Sequence, residues 1–188
     1  MRDRALSDAA RRKVLQAASN QLLIGGQALA WWAARFVLDT QSEFPEGVTF
    51  DFDFLAGRRE AAEIHRQLGG DLHIATLDDN TAQTAKIFLK DLEGGGPVEI
   101  DFLGSMVGAG EEKARKRAVT VEIEGGRFLV LHPFDVLRTR VVNLHVLRDR
   151  THNPRYVAQA RLAIRVLHAY LEQALRPALA STQTASRG

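Results

Sequence analysis

The sequence predicts an α/β (α+β) domain, a mixed and mainly antiparallel sheet flanked by helices and followed by a C-terminal helical pair. Three observations predict it. VTFDFDFL and VEIDFL alternate apolar and acidic residues with the period of a strand. VTVEIEGGRFLVL carries a hairpin signal, two β-prone runs around Gly125-Gly126. After His132-Pro133 the apolar residues Phe134, Leu137, Val141, Leu144 and Leu147 recur at helical spacing, as do Ala160, Ile164, Leu167 and Leu171.

Taken in order, Ser7 suits an N-cap for a helix to about Asn20 with Ala10, Val14, Leu15 and Ala18 on one side. In LLIGGQALAWWAARFVL the pair Gly25-Gly26 interrupts the apolar run, and a helix is expected from Gln27 to about Leu38. Residues 39–47, with Pro45 and Gly47, read as a loop. The strand that follows turns Phe50, Phe52 and Phe54 one way and Asp51, Asp53 and Leu55 the other. A short helix is expected over 58–68, stopped by Gly69-Gly70, then strands over 71–77 and 85–93 joined by Asp78-Asp79-Asn80. Residues 98–105 alternate again, with Glu99 and Asp101 on one face. Charge and glycine in 106–118 suggest a flexible excursion, whose Lys113, Arg115, Lys116 and Arg117 form a basic patch suited to a solvated loop or to acceptor phosphates. Pro154 separates the two C-terminal helices. The expected organisation is a core over 1–132, a helical extension over 133–177 packed on it, and a frayed tail over 178–188.

Composition narrows the chemistry. The chain has 188 residues and a formal charge of +2, so bulk charge does not make it a nucleic-acid binder. Charge is nevertheless uneven, with 11 basic and 14 acidic residues in 1–95 against 14 and 9 in 96–188. With no cysteine, a disulfide scaffold, a thiolate metal site and a cysteine nucleophile are excluded. The six histidines form no metal-ligand spacing, and no GxSxG elbow, Walker loop or GxGxxG occurs. The opening MRDRALSDAARRKVLQ lacks the apolar core of a signal peptide, and no run is long enough for a membrane helix. A soluble, cytoplasmic protein is expected.

Three features carry the candidate chemistry. Gly25-Gly26 opening a helix allows close approach of a phosphate to backbone N–H groups, although such a pair also serves as a plain turn. Asp51 and Asp53, two apart on a strand, share a face roughly 6 to 7 Å apart and suit one divalent cation, Mg²⁺ or Mn²⁺. A third carboxylate, Asp101 or Glu99, stands on a second alternating strand and would complete a two-metal site. Each feature alone has an ordinary structural explanation; their order along one chain is what joins them. Trp31 and Trp32, beside alanines in a helix, suit packing better than base stacking.

In this order GGQALAWW, TFDFDFLAG and VEIDFLG resemble the nucleotidyltransferase superfamily. LIGGQALA, VTFDFDFL and VLHPFDVLRTRVVNL look most like the AbiEii-type abortive-infection toxins and related nucleotidyltransferase-like proteins, over roughly residues 20–147. The resemblance implies a nucleotidyltransferase-like fold that transfers a nucleoside monophosphate from an NTP to a hydroxyl of RNA, protein or a small molecule. It implies that Gly25, Gly26 and Gln27 meet the nucleotide, that Asp51, Asp53 and Asp101 bind Mg²⁺ (or Mn²⁺), and that Asp101 also serves as general base. Arg140, and with it Arg138, would meet nucleotide phosphates, and an antitoxin would be a partner. The alternatives are a non-catalytic module of the same fold that binds nucleotide or nucleic acid, and a nucleic-acid adaptor that uses the basic half.

Overall fold

The computed structural model describes residues 8–39, 51–79, 81–92, 96–123, 126–146 and 152–185. The expected N-cap Ser7, and Phe50, Asn80, Gly125 and Leu147, lie outside them. Helix α1 (Asp8–Ala17) buries Ala10, Val14 and Leu15. Strand β1 (Leu22–Ile24) feeds directly into α2 (Gly25–Arg35). Then come β2 (Phe52–Leu55), α3 (Arg58–Leu68), β3 (Asp71–Ile74), a 3₁₀ turn (Leu77–Asp79), β4 (Gln83–Leu89) and β5 (Val98–Leu103). A short α4 (Glu111–Arg117) precedes the hairpin β6 (Val119–Ile123) and β7 (Gly126–Val130). The pair α5 (Pro133–Val146) and α6 (Pro154–Ala185) closes the chain.

The strands form one mixed sheet in the order β3-β4-β5-β2-β1-β7-β6. β2 pairs parallel with β5, and β1 parallel with β7; the other four pairings are antiparallel. One face of the central strands is a phenylalanine wall. Phe52, Phe54 and Phe102 are at most 1% exposed, and their rings stack at centroid spacings of 6.2 Å. Burying each such ring contributes about 2–3 kcal/mol, and α2 and α3 pack against β2 and β4 to complete that layer. The opposite face of the same strands carries the acids and remains partly open.

Local chemistry sets the element ends. The Glu60 carboxylate accepts the Gly57 N–H (3.0 Å) at the start of α3, and Gly69 stops that helix with φ 74°. Asn153 caps α6 by accepting the Arg155 N–H (3.0 Å), leaving Pro154 at the first helical position, where a missing N–H costs nothing.

Four differences from the sequence reading matter. β1 is a strand of three buried residues, too short to show alternation, and α2 starts at Gly25 rather than at Gln27. The 106–118 segment folds into α4, supported by i,i+4 ion pairs Glu111–Arg115 (3.0 Å) and Glu112–Lys116 (2.7 Å) and by the buried Ala114. α5 and α6 are helices as expected but in a different phase. Phe134 and Ile164 are 48% and 54% exposed, while Asp135, Val136, Leu162, Ala163 and Val166 are buried. Finally, helix α6 continues past Pro177 to Ala185, a stretch rich in helix-forming alanine.

The phase of α5 follows from a buried charge. Asp135 is fully buried and accepts two bonds from the Arg117 guanidinium, at 2.8 and 2.5 Å. Arg115 likewise donates to the Leu55 carbonyl (2.9 Å), so α4 is tied to both β2 and α5. Trp32 donates to the Leu131 carbonyl (2.8 Å) and meets Tyr170 of α6 edge-on, a packing role as expected. Removing Arg117 leaves an uncompensated buried carboxylate, whereas removing Asp135 leaves a guanidinium that water can reach. Arg117→Ala is therefore expected to cost about 3–5 kcal/mol in urea unfolding, and Arg117→Ala/Asp135→Leu less than the single change.

Candidate active site

Asp53 lies at the centre of the open face. β2 carries it opposite Ile24 of β1 on one side and opposite Asp101 of β5 on the other. Because β2 and β5 run parallel in register, both carboxylates leave the same face at the same height, on strands about 5 Å apart. Asp51, just before β2, is near enough to raise the pKa of both by repulsion.

Gly25 makes this arrangement possible. Its φ of 64° belongs to the left-handed region, and a methyl group there would stand 2.8 Å from the Asp53 Cβ and overlap the carboxylate. Glycine lets β1 turn straight into α2 while Asp53 fills the vacated space and accepts the Gly26 N–H. The positive end of α2 thus meets a carboxylate of the same chain.

The electrostatics are unusual for a surface strand. Burial raises Asp53 most; Arg140 of α5 and the Gly26 N–H pull it down, while Asp101 and Asp51 push it up again. The outcome is a carboxyl group pushed up to about 6. Asp101 is also raised, by burial first, with Lys86 opposing and Glu99 and Asp51 adding repulsion. A partly buried acid pair of this kind holds either a proton or a cation.

The structure brings Gly25, Gly26, Asp51, Asp53, Asp101 and Arg140 to one place. Gln27 is buried elsewhere, lining a cavity of about 150 Å³ with Arg11, Trp31 and Phe52 on the helix side of the sheet. Arg138 is exposed. Of the basic patch, Arg115 and Arg117 are engaged by Leu55 and Asp135.

Two residues on β4 complete the site and were not anticipated from sequence. Lys86 stands directly opposite Asp101, pairs with Glu99 and lies 3.2 Å from Asp101 Oδ1. Gln83 donates to the same Oδ1. A bulge at Thr84, whose hydroxyl reaches the Ala56 carbonyl (2.8 Å), places Gln83 on the acid face. The signal available was a lone lysine inside an alternating strand. Among the described residues, no three His, Asp or Glu side chains stand together as a ready cation cage, and Asp101 is engaged by Lys86 and Gln83. Asp51 and Asp53 fit one hard cation, which would offset the repulsion and burial that raise Asp53.

Comparison with solved structures follows this geometry. An antigenic nucleotidyltransferase-like protein from Paracoccidioides brasiliensis superposes with TM-score 0.52 at 16% identity, covering 95% of this chain and 93% of that one. The fold is nucleotidyltransferase-like. ANT(2″)-Ia, solved with adenylyl-2″-tobramycin, matches at TM-score 0.46 and 16% identity over 92% of this chain and 96% of its own. The Megavirus polyadenylate synthase matches at 0.45 and 10% over 92% of this chain, which spans 37% of the viral chain. No family model matches the chain, and no curated protein matches it in sequence. Among the described residues, no helix is long and apolar enough to cross a membrane.

Two measurements check the site. Asp53 ionises at about 6 in the fold against about 4 in the unfolded chain, so its contribution is fully present below the unfolded value and lost as pH rises through about 6. Asp53→Asn removes that dependence. Its stability relative to the parent should rise by about 2 kcal/mol between pH 4.5 and 7.5, read by urea unfolding. Gly25→Ala should cost on the order of 3 kcal/mol, whereas Gly110→Ala at the N-cap of α4, where a methyl meets nothing within 4 Å, should cost no more than about 1 kcal/mol.

Proposed function

We propose that the chain is a divalent-metal-dependent nucleotidyltransferase that moves a nucleoside monophosphate from an NTP to a hydroxyl acceptor. The observation that carries this reading is the register of Asp53 with Asp101 beside the Gly25-Gly26 bend, within a nucleotidyltransferase-like fold. In the proposed reaction the acceptor oxygen bonds to the α-phosphorus, the bond to the β-phosphate oxygen breaks, and pyrophosphate leaves. Mg²⁺ (or Mn²⁺) held by Asp51 and Asp53 would supply charge neutralisation for the triphosphate.

The chain's own groups account for the remaining work. Asp101 is the proposed general base. Its raised pKa improves it for that task, and with Lys86 and Gln83 both on Oδ1, Oδ2 would take the acceptor's proton. Arg140, whose charge already reaches Asp53, is the proposed partner of the nucleotide phosphates. The start of α2 at Gly25 and Gly26 supports a phosphate subsite, where the incoming anion would replace Asp53 on the Gly26 N–H.

The acceptor is proposed as RNA, protein or a small molecule. Resemblance to the AbiEii-type toxins supports a toxin role in the cytoplasm with an antitoxin partner, and growth arrest on expression, relieved by Asp53→Asn, tests that role. One observation favours a second reading, a non-catalytic nucleotide-binding module: Asp101 is already engaged by Lys86 and Gln83.

One sequence of measurements separates the two. Mg²⁺ and NTP together should raise the melting temperature by several degrees, as saturation about 100-fold above Kd contributes about 2.7 kcal/mol. Asp51→Ala/Asp53→Ala should abolish the shift. Incubation with α-³²P-labelled NTPs and total RNA or protein should then transfer label and release pyrophosphate. A thermal shift without transfer supports the binding module, and no shift contradicts both readings.

A further inference from the structure

Lys86 is built into the acid face rather than attached to its rim. It projects from the middle of β4, directly across the ladder from Asp101, and its side chain is only 24% exposed. Its Nζ pairs with Glu99 and stands 3.2 Å from Asp101 Oδ1, while the Asp101 side chain is 19% exposed. The ammonium also lies 5.3 Å from the centre of the Phe88 ring, which adds a cation–π contact. Four neighbours therefore engage or brace one end of this arrangement: Glu99, Asp101, Phe88 and, through the shared Oδ1, Gln83. Gln83 is neutral and offsets none of the acid charge; Lys86 does.

We propose that Lys86 is the resident second cation of this site. Its ammonium holds Asp101 Oδ1 and supplies there the positive charge that a second divalent ion would bring, so the site takes up one divalent ion, on Asp51 and Asp53. This rests on the metal-dependent reading above and narrows it. Lys86 is a positioning residue: it neutralises Asp101 and fixes one of its oxygens without meeting the nucleotide. A divalent ion on Oδ1 would stand no more than about 5 Å from Nζ, and like charges at that range repel in a partly buried site. Displacing the lysine would in turn strip Glu99 and Asp101 of their shared countercharge, leaving two neighbouring acids on one strand face.

The test counts ions on the intact chain. Mn²⁺ alone is titrated without nucleotide, and bound ion is read by electron paramagnetic resonance of the free aquo ion, with calorimetry as a second measure. The parent should bind one Mn²⁺, lost in Asp51→Ala/Asp53→Ala. Lys86→Met should bind two, the second within about tenfold of the first in affinity. Lys86→Arg, which keeps the charge, should return to one. Circular dichroism establishes that the variants fold; should Lys86→Met not fold, Lys86→Gln, which also removes the charge, is counted in its place with the same expected result. Two ions on the parent overturn the role of Lys86 and leave the metal-dependent reading standing, as does one ion on a folded Lys86→Met. No ion on the parent overturns the lysine proposal, while the thermal shift with Mg²⁺ and NTP together decides the metal-dependent reading separately.

Discussion

The missing side chain at position 25 governs the architecture of this protein. Asp53 Cβ and its carboxylate occupy the space that any side chain on Gly25 would fill. That vacancy allows β1 to run into α2 without an intervening loop and brings the first turn of α2 against β2. β1 is held there from both sides, antiparallel to β2 and parallel to β7. Position 53 is thereby fixed in the middle of the sheet, and the parallel pairing of β2 with β5 sets Asp101 beside it. A single backbone freedom, multiplied by strand register, gathers groups separated by 76 positions in the chain.

Two faces of the same strands divide the labour. Phe52, Phe54, Ile100 and Phe102 are sealed beneath the helices and hold the backbone at close packing. Asp51, Asp53, Glu99 and Asp101 are gathered on the other side, where Asp51 raises the cost of ionising both Asp53 and Asp101, Asp101 that of Asp53, and Glu99 that of Asp101. Arg140 and Lys86 compensate from outside and from within the sheet respectively. The compensation is incomplete at Asp53, and a bound cation would relieve the burial and repulsion that raise this carboxylate. Arg117 with Asp135 shows the contrasting case on α5, where a bidentate guanidinium engages a fully buried acid and the pair serves packing.

Sequence alone carried the parts of this arrangement that repeat with a local period. Alternation located β2 and β5 and placed Asp53 and Asp101 on their faces; Gly125-Gly126 located the hairpin, and glycine ended α3. Short or non-local features escaped. β1 has three residues, all buried, so it shows neither alternation nor length. The i,i+4 ion pairs of 111–117 are local, but the Arg115 and Arg117 tethers that hold the helix in place depend on partners elsewhere, and without them the charges read as loop-like. The phase of α5 was misplaced for the same reason, since nothing local announces that Asp135 is buried and Phe134 is not. Lys86 and Gln83 meet Asp101 only through cross-strand register and a one-residue bulge, and neither is encoded in a local pattern.

The site depends most on the state of one carboxyl group. Carbon-13 NMR of the Asp53 carboxyl, assigned by comparison with Asp53→Asn and titrated with pH in the absence and presence of Mg²⁺, measures it directly. The expected result is a midpoint near 6 without metal, moving down by at least one unit when Mg²⁺ is added, with a linked displacement of the Gly26 amide signal. A midpoint near 4 in both titrations, with the Gly26 amide unmoved, would contradict it.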